Sequence, residues 1–560
     1  MWNRVAEAVG KSDTVSRVLH YTNDEVEDFK GILRDFKFVP SGRVLSSAGA
    51  GKDTTYYNCF VVGIESKDSE KGNDSRSGIM DTMSDMIEIT ARGGGVGINW
   101  STIRPAGSYI KGVHGNSSGA NSWMRGADGL ADQIRQGGSR TAALMFMLND
   151  WHPDILEFVD PTDSAFSRAN FSVSVSDDFM TAVRQDAQWP LVFPDTTHEL
   201  YDLLWNGDIE EWRDSGLPVV VHKWVPARHL WSKILKGAHN TGSPGMSFME
   251  RCNRESNTWY KEKYICMNPC GEQPLPASGS CNLGSINLTA FWSQTEKSLK
   301  WNELAHVINK SVRFLDNIID ISKDINAEIG DTQRGVRRIG LGTMGLADIF
   351  ILMGIRYGSK ESLDVISQIF SFIRDHAYMA SVELAKERGP APYLDTDLYL
   401  KGEFIKRLPD HIKTAIRVHG IRNLQILTQA PTGTTSILAG ASSGIEPIFS
   451  KAYTRRDATG EHQVVHPLFE NMCGDHMVTA SDLSVVDHIQ VQAEIQKYLD
   501  SSISKTINLP NDATEEDVGS AYAMAYDMGC KGVTIYRSGS LDEDVLYDDQ
   551  PSGGCEVCNL

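Results

Sequence analysis

In the segment Met267-Asn-Pro-Cys-Gly-Glu-Gln-Pro-Leu275, Asn268, Cys270 and Glu272 stand at alternate positions. Pro269, Gly271 and Pro274 interrupt any helix or regular ladder, so the segment reads as a tight loop. Where such a loop is extended, residues two apart point the same way, which sets an amide, a thiol and a carboxylate on one face. That is a hydrogen-bonding group, a reactive sulfur and an acid/base group in one short peptide. Taken alone, the segment leaves open a turn around a buried structural cysteine.

The other cysteines divide by setting. Cys59 and Cys281 lie in polar or glycine-rich, turn-like contexts, and Cys555 and Cys558 form a CxxC at the end of the chain. Cys252, Cys266, Cys473 and Cys530 read as structural thiols, Cys266 being the one nearest the loop. Nine cysteines in 560 residues are too sparse for a secreted disulfide scaffold. Placed this way in a reducing compartment, they point to redox or metal chemistry. For the terminal pair, half of a zinc site competes with a mobile dithiol; no second Cys or His pair lies nearby, which favours the dithiol and no metal.

A third segment, Ala430-Pro-Thr-Gly-Thr-Thr-Ser-Ile-Leu438, runs small hydroxyl residues into an apolar stretch, as a loop opening a helix would. Its N–H groups and hydroxyls suit phosphate, although an ordinary helix cap looks the same. Gly93-Gly-Gly-Val-Gly97 lacks the GxGxxG spacing and follows an expected helix, which excludes a dinucleotide fingerprint.

The elements that must position these residues alternate in type. Helical spacing marks 24–36, 82–91 (ending at Gly93) and 304–321, and a strand is expected over Tyr57–Gly63. Such alternation favours a large α/β domain. The chain divides into a short helical segment over 1–40, a catalytic unit over 41–537 and an acidic tail over 538–560 that reads as flexible. With 54 basic and 73 acidic residues the net charge is −19, which disfavours nucleic acid or a membrane surface as partner. An anionic substrate then needs a local pocket of N–H groups and cations. No apolar signal core or membrane span is present, so the expected location is the cytoplasm, of a host cell if the gene is viral.

Asn268–Leu275, followed by Gly279-Ser-Cys-Asn-Leu-Gly-Ser-Ile-Asn-Leu288, resembles the active-site stretch of ribonucleotide reductases. Tyr57-Asn-Cys-Phe-Val61, Gly93–Asn99, Gln136-Gly-Gly-Ser-Arg140, His152-Pro-Asp154, Arg338–Gly345, Ala430–Ser436 and Ser443-Gly-Ile-Glu-Pro447 are similar to further family segments, in the family's order. The resemblance spans nearly the whole chain. It implies a ten-stranded α/β barrel with a central finger loop, and reduction of ribonucleoside di- or triphosphates to deoxyribonucleotides. Cys270 would carry a thiyl radical, Glu272 take the 3′-hydroxyl proton and Asn268 bind the same part of the sugar. Cys59 and Cys281 would form the reducing pair and end as a disulfide. Thr432, Gly433, Thr434, Thr435 and Ser436 would hold the substrate phosphates. Gly93–Gly97 would be a turn leading into the barrel.

The family's C-terminal cysteines make Cys555 and Cys558 the shuttle that reduces Cys59–Cys281, recharged by a thioredoxin- or glutaredoxin-type reductant. Gln136, Gly137, Gly138 and Arg140 resemble the loop that relays a dNTP or ATP effector, with Asp68 a candidate contact; that site implies a homodimer. Only 58 residues precede Cys59, so the resemblance is to a compact member without an N-terminal nucleotide-binding cone. Motifs such as His419-Gly-Ile-Arg-Asn423 and Gly529–Arg537 look most like the adenosylcobalamin-dependent class. The alternative is a radical delivered by a metal-containing small subunit, which usually needs two consecutive tyrosines; here Tyr536 is followed by Arg537 and would relay alone. A nucleotide-binding regulatory protein on an inactive fold is the remoter alternative, and the presence of all three active-site cysteines opposes it.

Overall fold

The computed structural model describes residues 1–10, 23–136, 140–160, 166, 169–457, 460–472, 474–540 and 546–548. Gly137, Gly138, Cys473, Cys555 and Cys558 lie outside the described residues.

Ten strands build the central sheet: β1 (Phe38–Pro40), β2 (Cys59–Val61), β3 (Gly95–Asn99), β4 (Leu144–Asn149), β5 (Ala169–Ser174), β6 (Gly245–Ser247), β7 (Gly279–Asn287), β8 (Ile339–Met344), β9 (Thr506–Leu509) and β10 (Gly532–Arg537). Strands β2 to β6 run parallel in chain order. The order continues through β10 to β9, and the two junctions β7–β2 and β6–β10 are antiparallel. On its other edge β7 pairs parallel with β8. From β8, a bridge Leu341–Leu427 and a second bridge Gln429–Ile503 lead to the run just ahead of β9, so the sheet comes round on itself. This is the α/β barrel the sequence implied.

The strands read as buried on both faces because helices cover the outside. All nine residues of β7 are buried, and five of the six in β4. Helix α1 (Trp2–Gly10) falls in the helical segment expected over 1–40, and α2 (Asn23–Arg34), α3 (Arg76–Ala91) and α4 (Trp301–Ile321) match the expected periodic segments, with α3 starting six residues earlier than its apolar spacing suggested. Ser75 caps it, its hydroxyl accepting from Gly78 N–H. The apolar stripe of α4 faces the barrel, and its Leu315 carbonyl accepts a 2.8 Å bond from Asn282 of β7. Asn317 on the same helix donates to Val9 of α1, and Phe314 packs edge-on against Phe29 of α2. Phe38–Pro40, at the end of the helical N-terminal segment, is itself a strand paired with β7. Among the described residues no helix is long and apolar enough to cross a membrane.

Gly93–Gly97 is only partly the turn expected. Gly93, at φ 96°, and Gly94 make the turn after α3, but Gly95–Asn99 is a full barrel strand. The reason is steric. A Cβ on Gly95 would sit 2.9 Å from Pro269, and one on Gly97 would overlap the Met267 carbonyl. These glycines let the loop of residues 267–275 lie directly against the strand.

Candidate active site

Asn268-Pro-Cys-Gly271 is a β-turn, closed by the Gly271 N–H donating to the Asn268 carbonyl at 3.0 Å. Asparagine first, proline second and glycine fourth suit such a turn, and Gly271 takes φ 79°. This corrects the extended alternation expected from spacing. Asn268 and Glu272 still converge, because the turn folds them together: Asn268 Oδ1 accepts a hydrogen bond from Gln273 N–H at 2.9 Å. The turn rises from a two-residue ribbon, Cys266–Met267 paired with Pro274–Leu275.

Cys59 on β2 and Cys281 on β7 are direct cross-strand partners in the antiparallel junction. Opposed Cβ atoms in such a pair are roughly 4.5–5.5 Å apart, near the spacing a disulfide needs. Above them sits the turn. Asn268 Nδ2 donates to Cys59 Sγ at 3.2 Å, and the Cys59 thiol donates to Glu272 Oε1 at 3.4 Å. Cys59, Cys281, Asn268 and Glu272 are all buried, whereas Cys270 is half-buried. Asn58, Cys59, Gly93–Gly95, Asn268, Cys270, Glu272 and Pro431 share the wall of one open cleft of about 660 Å³.

The electrostatics follow from burial. Desolvation pushes the Glu272 carboxyl up, offset in part by hydrogen bonds from Asn268 and Cys59. Its second oxygen, Oε2, is buried with no hydrogen-bond partner. Burial, then the charges of Glu272, Cys281 and Cys270, push the Cys59 thiol well above the ordinary range. Burial raises Cys281 likewise. Both thus stay protonated thiols at neutral pH, able to give hydrogen as well as electrons.

Thr432 precedes a short helix, α5 (Gly433–Ala439). Its hydroxyl accepts from Gly444 N–H at 2.7 Å, and the Thr435 and Ser436 hydroxyls donate to carbonyls of the helix's own first turn. The backbone N–H groups at Gly433 and Thr434 open this helix, next in the chain to Pro431 of the cleft wall.

The remaining expected residues lie apart from the cleft wall. Tyr536 is buried on β10 opposite Asn508 of β9. Asp68 accepts from Glu70 N–H and pairs with Lys71, contacts that hold its carboxyl below the ordinary range in an exposed turn. Gln136 and Arg140 are backbone partners in a short antiparallel pairing of Arg135–Gln136 with Arg140–Thr141. Cys252, Cys266 and Cys530 are buried; Cys266 and Cys252 join Met145, Met147, Met249 and Met267 in a sulfur-rich core under the turn. Two wall residues escaped the sequence reading: Asn58, whose Oδ1 has no protein partner, and Arg43, whose guanidinium packs where a Gly93 side chain would be. Asn58 could have been found by its adjacency to Cys59. Nothing local distinguishes Arg43.

Residues 57–536 match the family model described as ribonucleotide reductase, barrel domain. A vitamin B12-dependent ribonucleoside-diphosphate reductase of Thermoplasma acidophilum is 35% identical over 94% of this chain, which spans 66% of that protein. A protein of the same description from Mycobacterium tuberculosis is 32% identical over 99% of this chain and 80% of its own length. The ribonucleoside-diphosphate reductase large subunit of Variola virus is 30% identical over 83% of this chain and 61% of its own.

Proposed function

This chain belongs to the ribonucleotide reductase family through its barrel domain, and from that premise we propose that it reduces ribonucleotides to 2′-deoxyribonucleotides by thiyl-radical chemistry initiated with adenosylcobalamin. The observation that carries the reading is the convergence of Asn268, Cys59 and Glu272 within hydrogen-bond distance, on the same cleft wall as the half-buried Cys270.

When bound, adenosylcobalamin supplies a carbon-centred radical that can take the hydrogen atom of a thiol. Of the three site cysteines Cys270 is the one accessible to it, since Cys59 and Cys281 are buried. Cys270, as thiyl, takes the 3′ hydrogen atom of the ribose. Glu272 accepts the 3′-hydroxyl proton through the unpartnered Oε2, and Asn268 fixes the same edge of the sugar. The 2′-hydroxyl leaves as water with a proton from the Cys59–Cys281 pair. That pair supplies two electrons and the hydrogen at C2′, and becomes a disulfide. Return of the 3′ hydrogen atom restores the Cys270 radical, and return of the proton from Glu272 restores the 3′-hydroxyl, so one turnover consumes one dithiol.

The N–H groups opening α5 bind the substrate phosphates, with Thr432, Thr435 and Ser436 shaping the turn. Cys555 and Cys558 exchange with the Cys59–Cys281 disulfide and are recharged by a thioredoxin- or glutaredoxin-type reductant. A dNTP or ATP effector binds near Asp68, Gln136 and Arg140 across a homodimer. A cytoplasmic location suits thiols that must be kept reduced.

The test is an assay of the purified chain with a ribonucleotide and a dithiol, with and without adenosylcobalamin. Deoxyribonucleotide formed only with the cofactor is the expected result; parallel di- and triphosphate substrates name the preferred one. Silence with the cofactor, followed by turnover on adding a metal-loaded partner protein, would overturn the radical source.

A further inference from the structure

The turn carrying Cys270 is secured from outside at both ends. On one side, Asn170 of β5 donates its Nδ2 to the Pro269 carbonyl at 3.2 Å, the peptide that leads into Cys270. On the other, three donors meet at the Glu272 carbonyl: the Thr428 hydroxyl at 2.8 Å, Ser502 N–H at 3.0 Å and the Ser501 hydroxyl at 3.1 Å. A carbonyl oxygen offers two lone pairs, so three donors over-determine its position. Thr428 also lies 3.1 Å from the Ser502 carbonyl, the longer of its two contacts. Between the two anchors stands Gly271, at φ 79° and with open space where a side chain would be. The turn therefore contains its own pivot. Bonds inside the turn, Gly271 N–H to the Asn268 carbonyl and Gln273 N–H to Asn268 Oδ1, bridge that pivot, and the outside anchors add to them in setting the thiol of Cys270 relative to the carboxylate of Glu272.

We infer that Asn170 and Thr428 are positioning residues: they hold Cys270 and Glu272 at the separation at which one takes a hydrogen atom and the other a proton from the same carbon–oxygen unit. Neither touches the substrate. Thr428 acts through the Glu272 backbone, Asn170 through the Pro269–Cys270 peptide. Because both anchors come from barrel strands or their linking run, the sheet holds in place a turn that the loop's own sequence folds. The inference rests on the reductase reading above for its chemistry, though not for its geometry.

Thr428→Val keeps the shape of the side chain and removes its donor; Thr428→Ser keeps the donor. Asn170→Leu removes the other anchor at a half-buried position, so it carries the test if Thr428→Val fails to fold. With ribonucleotide and adenosylcobalamin, Thr428→Val and Asn170→Leu are expected to lower kcat on the order of 100-fold with KM within about two-fold, the effect of moving a reacting group by an ångström. Thr428→Ser should restore most of the rate. A second readout needs no turnover: the rate at which iodoacetamide labels Cys270, followed on its own peptide by mass spectrometry, should rise several-fold in both anchor variants. Loss of kcat only in proportion to lost folded protein, Thr428→Ser no better than Thr428→Val, or unchanged Cys270 labelling would overturn the assignment. If the wild-type chain shows no turnover, the reductase reading fails, while the labelling rates still decide whether the anchors hold the turn.

Discussion

Two parts of the site hold sulfur in opposite ways. Cys59 and Cys281 are set by a ladder: antiparallel pairing of β2 with β7 places them opposite each other, and burial on both faces leaves them no freedom. Cys270 sits on a turn raised from two ladder pairs, half-buried, with a glycine pivot beside it. In the proposed mechanism the pair must meet each other and form a bond, a task that the cross-strand register serves. The single thiol must meet something that arrives from outside, so it stands on the exposed side of the cluster and borrows its rigidity from neighbours. Sheet geometry suits the storage of electrons, and a braced turn suits their use.

The contrast can be broken most severely at the sulfurs. Cys270→Ser should abolish turnover and leave the thermal midpoint close to wild type, since the site is a half-exposed turn. Cys281→Ser should also abolish sustained turnover, but it buries a hydroxyl in the ladder at a cost of about 1–3 kcal/mol, visible as a lowered midpoint. Equal stability of the two variants would sink the distinction between braced turn and buried ladder.

Glu272→Gln comes next, with a loss of about 10²–10⁴-fold in kcat. Burial raises the Glu272 carboxyl, and a proton acceptor must be ionised, so kcat/KM of the wild type should climb with pH through that raised value. The glutamine variant should lose this limb. Stability moves the other way. The folded carboxyl keeps its proton at pH values where the unfolded one, near about 4.3, has lost it. The wild type therefore loses stability as pH rises from the unfolded to the folded value, a loss the glutamine variant should lack in urea titrations across that window.

Gly97→Ala probes the seat of the turn. Its Cβ would overlap the Met267 carbonyl, so a destabilisation of about 1–3 kcal/mol is expected, with kcat falling further than folded protein does. The smallest effect belongs to Thr432→Val, which removes the bond to Gly444 N–H, about 1 kcal/mol, and should raise KM with little change in kcat.

The chemistry was more legible in the chain than its supports. Asn268, Cys270 and Glu272 lie within one short peptide, and Cys59 and Cys281 carry matching contexts, so composition and order mark them. Helices α2 and α4 announce themselves because one face of each is buried. The strand at Gly95–Asn99 does not, because its glycines answer to a distant peptide at 267–269, a contact that no local pattern encodes. The turn geometry of 268–271 was written in Asn-Pro-x-Gly, yet alternate spacing suggested an extended face instead. Asn170, Thr428 and Ser501 carry no local signal at all. Each is an ordinary polar residue whose role depends on where the barrel brings it.

The seam of the barrel has one more consequence, in time and not in space. The Glu272 carbonyl waits for Ser501, 229 residues further along the chain. Long-range closures of this kind form late, after the entropy of the intervening chain has been spent. On a ribosome, which delivers the N-terminal part first, the turn bearing Cys270 emerges well before the run that braces it. A nascent chain halted short of residue 501 would lack two of the three donors that meet at the Glu272 carbonyl. The run at Ser501–Ser502 thus completes the brace on the turn only once nearly the whole chain has been made.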